Sequence, residues 1–196
     1  LVGVDDFSNY PEEVNALPKL GGGLMGYDGG PDVEAIVALE PDLVLVSEYG
    51  ELAMLLEQAG ITVYGGSPQT YEDTFTFFDI LGQLTNREIE AALLTENVQK
   101  EVDGIAALVS STEAVSVYYE IDTTPYSVGP NSFIGVLLSK AGGQTIVTAE
   151  QGDFPQLDPE FIISSNPEAI ILSDAPSGES IETLQARPGW EGLQAI

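Results

Sequence analysis

Two residue types are missing from this sequence altogether: it contains no cysteine and no histidine. Without Cys there are no disulfides, no thiolate metal sites and no thiol nucleophile, and the redox compartment cannot be read. Without His the imidazole general base and the commonest transition-metal ligand are gone, which removes Ser-His-Asp and Cys-His catalysis together. Basic residues are scarce too. Five Lys+Arg stand against 32 Asp+Glu, for a formal net charge of −27. Such a surface repels phosphate backbones and anionic lipid, so neither nucleic acid nor a membrane surface is an expected partner. It suits solubility, including in high salt, and attracts cationic protein surfaces. No apolar run approaches the roughly 20 residues of a membrane span, and no signal peptide is present. The chain opens on LVGV and stops at EGLQAI, which reads as a piece trimmed from something longer. A removed export signal would leave no trace.

What is present is a globular composition. Of the 196 residues, 43% are hydrophobic and 19% charged, enough for one large domain or two small lobes with real cores. LVGV (1–4) reads as a short strand ended by the polar loop DDFSNYP, and a turn-rich segment follows. Then comes DVEAIVALEPDLVLVS (32–47): Asp32 as N-cap, a short apolar-faced helix, a Pro41 stop and a buried strand. ELAMLLEQAG reads as a helix stopped at Gly60 and ITVYGG as another buried strand, so the grammar is βαβ with a mostly parallel sheet. YEDTFTFFDILGQL (71–84) is an amphipathic helix. Asn86 is then expected to cap a long one over about 87–109, roughly 35 Å at 1.5 Å per residue, long enough for a strut between lobes. After it the alternation resumes: strand 114–121, the loop TTPYSVGPNS, helix FIGVLLSKAGG, short strand QTIV, and a closing helix in SIETLQARPGWEGLQAI.

The opening unit returns late as DPEFIISSNPEAIILS (158–173). In both copies an Asp is followed two places on by Glu, seven further by Pro and six further by Ser. The expected architecture is therefore α/β: two Rossmann-like lobes with mostly parallel sheets, an N-terminal lobe over 1–85, a connecting helix over 86–110 and a C-terminal lobe over 111–196, with a ligand cleft between lobes. From spacing alone Glu34 and Glu160 have a local role, since a carboxylate near a helix N-terminus faces unpaired N–H groups for about 0.3–1 kcal/mol. One exposed acid per lobe also suits docking on two basic pockets of a partner through Arg–carboxylate bonds.

The segments VGVDDFSNYPEEV…LPKLGG, DVEAIVALEPDLVLVS, P-Y-S-V-G, FPQLDPEFIISSNPEAIIL and RPGW together resemble the helical-backbone (class III) substrate-binding proteins, which deliver cobalamin, ferric siderophores or haem to ABC importers. The resemblance runs nearly end to end but lacks the opening strand-helix segment and terminal helices usual in that family. It implies a non-enzymatic, extracytoplasmic carrier, periplasmic or a cell-surface lipoprotein, acting as a monomer. The carrier would capture a bulky metal chelate, a corrinoid such as cobalamin or a ferric siderophore, and hand it to a membrane permease. By position, Glu34 and Glu160 match the two family glutamates that dock on permease arginines. The ligand-facing candidates are Phe7, Tyr10, Tyr27, Ser47, Tyr49, Tyr126 and Phe154. Loop aromatics offer a flat apolar face with a polar edge, and packing under its own loop is an equal reading for any one of them. Phe7, Tyr126 and Phe154 match corrin-facing positions of cobalamin-binding relatives, whereas Ser47 stands where an aromatic can occur and Trp190 falls outside the series. With five basic residues, a neutral or cationic ligand suits the field better than an anionic ferric catecholate. No resident metal or cofactor is expected, and no EF-hand spacing appears.

The rival reading is a carboxylate-dependent hydrolase of the same two-lobed fold, enlisting a pair such as Asp5/Asp6 or Glu120/Asp122. With 32 acids some pairing is inevitable. A noncatalytic domain of a larger assembly is a third reading. Nucleotide binding fails on motif: GGGLMG and GPNSFIG supply neither G-x-G-x-x-G after a strand nor a P-loop Lys.

Overall fold

The structure, a computed structural model, describes residues 1–22 and 30–196. The chain divides into two compact units, Leu1–Ser67 and Pro68–Ile196. This boundary puts the amphipathic and long helices with the second unit.

In the first unit α1 (Val33–Ala38) starts where the Asp32 carboxylate accepts the Ala35 N–H at 2.9 Å. Glu40 takes a left-handed turn before Pro41 (φ 47°), and the chain enters β1 (Val44–Val46). Helix α2 (Glu51–Gln58) buries Ala53 and Leu56, ends at Gly60 with φ 85°, and leads to β2 (Val63–Gly65). The two strands pair in parallel, Val44 opposite Val63 and Val46 opposite Gly65. The expected strand over 1–4 does not form. Val4 makes only a single parallel bridge to Lys19. The Val4 N–H donates to the Pro18 carbonyl at 3.1 Å, but proline has no N–H with which to extend the ladder.

The second unit opens with α3 (Tyr71–Thr85), capped by a reciprocal Thr70–Asp73 box. Asn86, expected as the N-cap of the next helix, instead closes α3 in the left-handed conformation (φ 56°), which Asn tolerates well. Helix α4 (Glu88–Val109) follows at once. Its 22 residues span about 33 Å, and none of them is buried. The α3–α4 crossing is close because Gly82 has no side chain: a Cβ there would sit 2.7 Å from Ala91 Cβ.

Beyond α4, β3 (Val115–Glu120) is the centre of a parallel sheet ordered β4-β3-β5, with β4 at Gly143–Thr145 and β5 at Ala169–Leu172. Helix α5 (Phe133–Lys140) starts at Ser132, whose hydroxyl accepts the Gly135 N–H at 3.0 Å. Helix α6 (Pro159–Ser165) starts at Asp158 with Pro159 in the first turn, and Asn166 repeats the left-handed turn before Pro167 (φ 44°). The closing segment is shorter than expected: α7 covers Ile181–Gln185, and a single 3₁₀ turn follows at Trp190–Gly192. A buried cluster of Tyr118, Val147, Leu157, Ile162, Leu184, Trp190 and Leu193 forms this unit's core. Helices and parallel strands thus give the α/β architecture expected from the sequence.

Candidate functional site

Each unit offers its candidate side chains on loops that leave the carboxyl ends of strands or flank them. In the first unit the Asp5 carboxylate accepts the N–H groups of Phe7 and Ser8 at 2.7 and 2.8 Å and the Ser8 hydroxyl at 2.9 Å. Burial pushes this carboxyl up, but the bonds from Ser8 and Phe7 outweigh it and hold it below the usual carboxylate range. Lys19 donates to the Ser8 carbonyl from the other side. The loop is braced, yet Phe7 is 60% exposed and Tyr10 stands out further. Ser47 and Tyr49 follow β1, both exposed. The Tyr49 backbone lies so close over the end of β2 that a Cβ on Gly65 would come within 2.9 Å of its nitrogen. Its hydroxyl donates to Glu57 on α2, a bond that raises the phenol above its ordinary value. Of the Tyr49 side chain, the ring rather than the hydroxyl is available. Tyr27 lies outside the described residues.

In the second unit two loops far apart in sequence zip together. The N–H groups of Leu157, Ser127 and Gly129 donate to the carbonyls of Pro125, Pro155 and Asp153 at 3.0, 3.0 and 2.8 Å, with Tyr126 opposite Gln156. The bridge and its bonds set the Tyr126 and Phe154 stretches side by side, with Phe154 two residues before Gln156. Tyr126 is 39% and Phe154 57% exposed, so the pair forms an aromatic ledge. The backbone beneath it is tightly packed. A Cβ on Gly129 would lie 2.1 Å from the Gly152 carbonyl oxygen, and one on Gly135 would lie 2.0 Å from that of Gly129. Here glycine is required by close approach of backbones. Sequence reasoning found both aromatics but not the ladder that brings them together. The available signal was the pair of Gly/Pro-flanked stretches PYSVGP and GDFPQ.

Glu34 and Glu160 occupy the same place in their two helices, two residues past the capping Asp, and both are exposed. Three of the four acids considered for hydrolysis are otherwise engaged. Asp5 braces its loop, and Asp122 accepts the Thr124 N–H at 2.8 Å. Glu120 is fully buried and bonded by both guanidinium arms of Arg187. A groove of about 660 Å³ bordered by Val109, Pro130, Lys140 and Thr145 touches none of the described candidates. Among the described residues no group of three or more acids is arranged to hold a metal, and no helix is long and apolar enough to cross a membrane.

The periplasmic binding protein family profile matches residues 1–196, the whole chain. The chain belongs to that family. A cobalamin-binding protein of Halobacterium salinarum (strain R1) is 32% identical over 197 aligned positions, covering 95% of this chain and 50% of the relative. An uncharacterised ABC transporter substrate-binding lipoprotein of Bacillus subtilis is 28% identical, covering 100% of this chain and 63% of the relative. The chain therefore spans between half and two thirds of the length of these curated relatives. Among solved structures, a possible iron-binding periplasmic solute-binding protein of Staphylococcus epidermidis superposes with a TM-score of 0.80 at 26% identity, over 98% of this chain and 76% of that one.

Proposed function

We propose that this chain is the solute-capturing part of an ABC importer, working outside the cytoplasm as a single copy and delivering a bulky metal chelate to a membrane permease. The chelate is a corrinoid such as cobalamin, with a ferric siderophore as the other member of the class. Phe7, Tyr10, Ser47, Tyr49, Tyr126 and Phe154 face the ligand, joined by Tyr27, and Glu34 and Glu160 dock on cationic pockets of the permease. The observation that carries this reading is the aromatic ledge of Tyr126 and Phe154, two exposed rings on a hydrogen-bonded frame. Rigid exposed rings bind a flat macrocycle with little ordering cost.

Charge supports the corrinoid. Arg187 is held by Glu120 and Glu179, Arg87 by Glu90, Lys19 by the Ser8 carbonyl, and Lys140 lies 4.7 Å over the Tyr71 ring. Of the five basic residues only Lys100, exposed on α4, stands outside these contacts, so an anionic chelate would have little else to draw on. Haem would have to take a Tyr or Met as axial ligand, since His and Cys are absent. The reading of an enzyme finds no support in the site, where at least one acid of each proposed pair is committed to structure.

A visible-absorption titration with cyanocobalamin, a ferric hydroxamate siderophore and haem tests this. Saturable binding of cyanocobalamin is expected, weakened about tenfold or more by Phe154→Ala, since a stacked ring contributes on the order of 1–3 kcal/mol on burial. Failure of all three chelates to bind would sink the proposal. Replacing Glu34 and Glu160 together by Lys is expected to abolish permease-dependent uptake while leaving chelate affinity unchanged. Lost affinity with normal uptake would reverse the two assignments.

A further inference from the structure

The sequence placed no role on Arg187, yet it is the most heavily bonded cation of the second unit. Its guanidinium donates to both oxygens of Glu120, each at 2.6 Å, and to Glu179 at 2.8 Å, while lying 4.7 Å over the Trp190 ring. Glu120 is the last residue of β3, and its side chain is fully buried. The Tyr118 hydroxyl donates to the same carboxylate at 2.8 Å. The Glu120 carbonyl is taken as well, by the Ser173 N–H at 3.0 Å and the Ser173 hydroxyl at 2.7 Å. Directly after it, the Ile121 N–H donates to the Tyr126 carbonyl at 2.9 Å and closes the loop that carries Tyr126. That loop then zips onto the stretch that carries Phe154.

We propose that Arg187 is a positioning residue for the aromatic ledge, acting through Glu120 to hold the root of the Tyr126 loop in place. The inference deepens the chelate-binding reading and rests on it for the meaning of the ledge, but the mechanical coupling stands apart from the ligand. A carboxylate without water demands paired donors. With Arg187 gone, Glu120 must take up water or a proton, and the strand end moves to let it. Lysine supplies the charge without the two-pronged geometry, so it replaces Arg only in part.

Amide hydrogen exchange on the full chain reads this coupling directly. The reporters are the ladder amides of Ser127, Gly129 and Leu157, and the internal references are the amides of α3 and α4. In Arg187→Met the ladder amides are expected to exchange about tenfold faster or more while the references keep their wild-type rates, the signature of a local opening. Arg187→Lys, which guards against a Met variant that fails to fold, is expected to fall between wild type and Met. The double variant Glu120→Gln/Arg187→Met, with neither charge of the pair left, is expected to recover part of the protection. Equal acceleration at ladder and reference amides, or an unchanged ladder, overturns the proposal. Cyanocobalamin affinity of the same variants is expected to fall in step with ladder protection, and binding that holds while the ladder opens counts against it. If wild type binds no cyanocobalamin, the chelate reading fails alone, and the exchange result still decides the role of Arg187.

Discussion

The two copies of the helix-Pro-strand unit carry the same local instructions and end in different surroundings. Asp32 and Asp158 cap equivalent helices, Glu34 and Glu160 are both exposed, and Glu40 and Asn166 make the same left-handed turn before proline. Even the outward-facing strand residues agree, Leu45 in one copy and Ile171 in the other. Past the shared code the copies part. Strand β1 lies in a two-stranded sheet, whereas β5 joins a three-stranded one. Ser47 and Ser173 are both exposed, yet the Ser173 hydroxyl donates to the Glu120 carbonyl of the neighbouring strand. Glu48 is exposed, but its counterpart Asp174 is only 8% accessible, with neither carboxylate oxygen hydrogen-bonded. The lesson is that capping and turn chemistry specify an element, while its neighbours decide how much of it is buried.

The largest test of that difference lies at Ile162 and its counterpart Ile36. Ile162 is fully buried within the second unit's core cluster, while Ile36 belongs to a smaller set with Val14, Ala53 and Leu56. Ile162→Ala is expected to cost about 3–5 kcal/mol and Ile36→Ala about 2 kcal/mol, measured by urea unfolding with far-UV circular dichroism reading both units and Trp190 emission the second. Equal losses would erase the contrast in packing. A smaller effect probes the code the copies share. Asp32→Ala and Asp158→Ala are each expected to cost about 1 kcal/mol, because each removes one N-cap, and a clear inequality in the same assay would show that the caps are not equivalent.

The smallest effect concerns Asp174 and Glu48. Burial, then the nearby Glu120 and Glu179 charges, push the Asp174 carboxyl above its ordinary value. A raised folded-state value means that this group's contribution is fully present below the unfolded value of about 3.9 and is lost as pH rises through the higher folded one. Asp174→Asn is therefore expected to raise Tm at neutral pH and to lose that advantage in acid. Glu48→Gln, at an exposed position, is expected to leave Tm at neutral pH unchanged. A neutral-pH loss of Tm in Asp174→Asn would show that the ionised carboxylate is needed where it lies.

Much of this was legible beforehand. Both Asp caps, the Pro stops and Gly60 as a helix terminator follow from chemistry within a few residues, and the structure contains them all. The strands expected to be buried, β1 and β2, are only half-buried, and Leu45 is 48% exposed, because a two-stranded sheet has too few neighbours to cover both faces. Asn86 was misplaced because a residue that caps a helix start equally favours the left-handed turn at a helix end, and only the next turn of α4 separates the two. Four of the seven ligand candidates have a described framework: Phe7 through Asp5, Tyr49 through Gly65, and Tyr126 with Phe154 through the ladder. That framework was not legible, because the bonds joining 125–129 to 153–157 link residues with no mutual signature in sequence.

Composition and local pattern by themselves determined what this chain excludes and where its Asp-capped helices begin, because those depend on absent functional groups and on backbone bonds within one turn. The tertiary structure alone decided that Glu120 is buried on Arg187 rather than free in a loop, and that the Tyr126 and Phe154 stretches lie side by side. Both outcomes join residues dozens of positions apart. Only closing the chain over that distance, against its entropy, settles which partners meet.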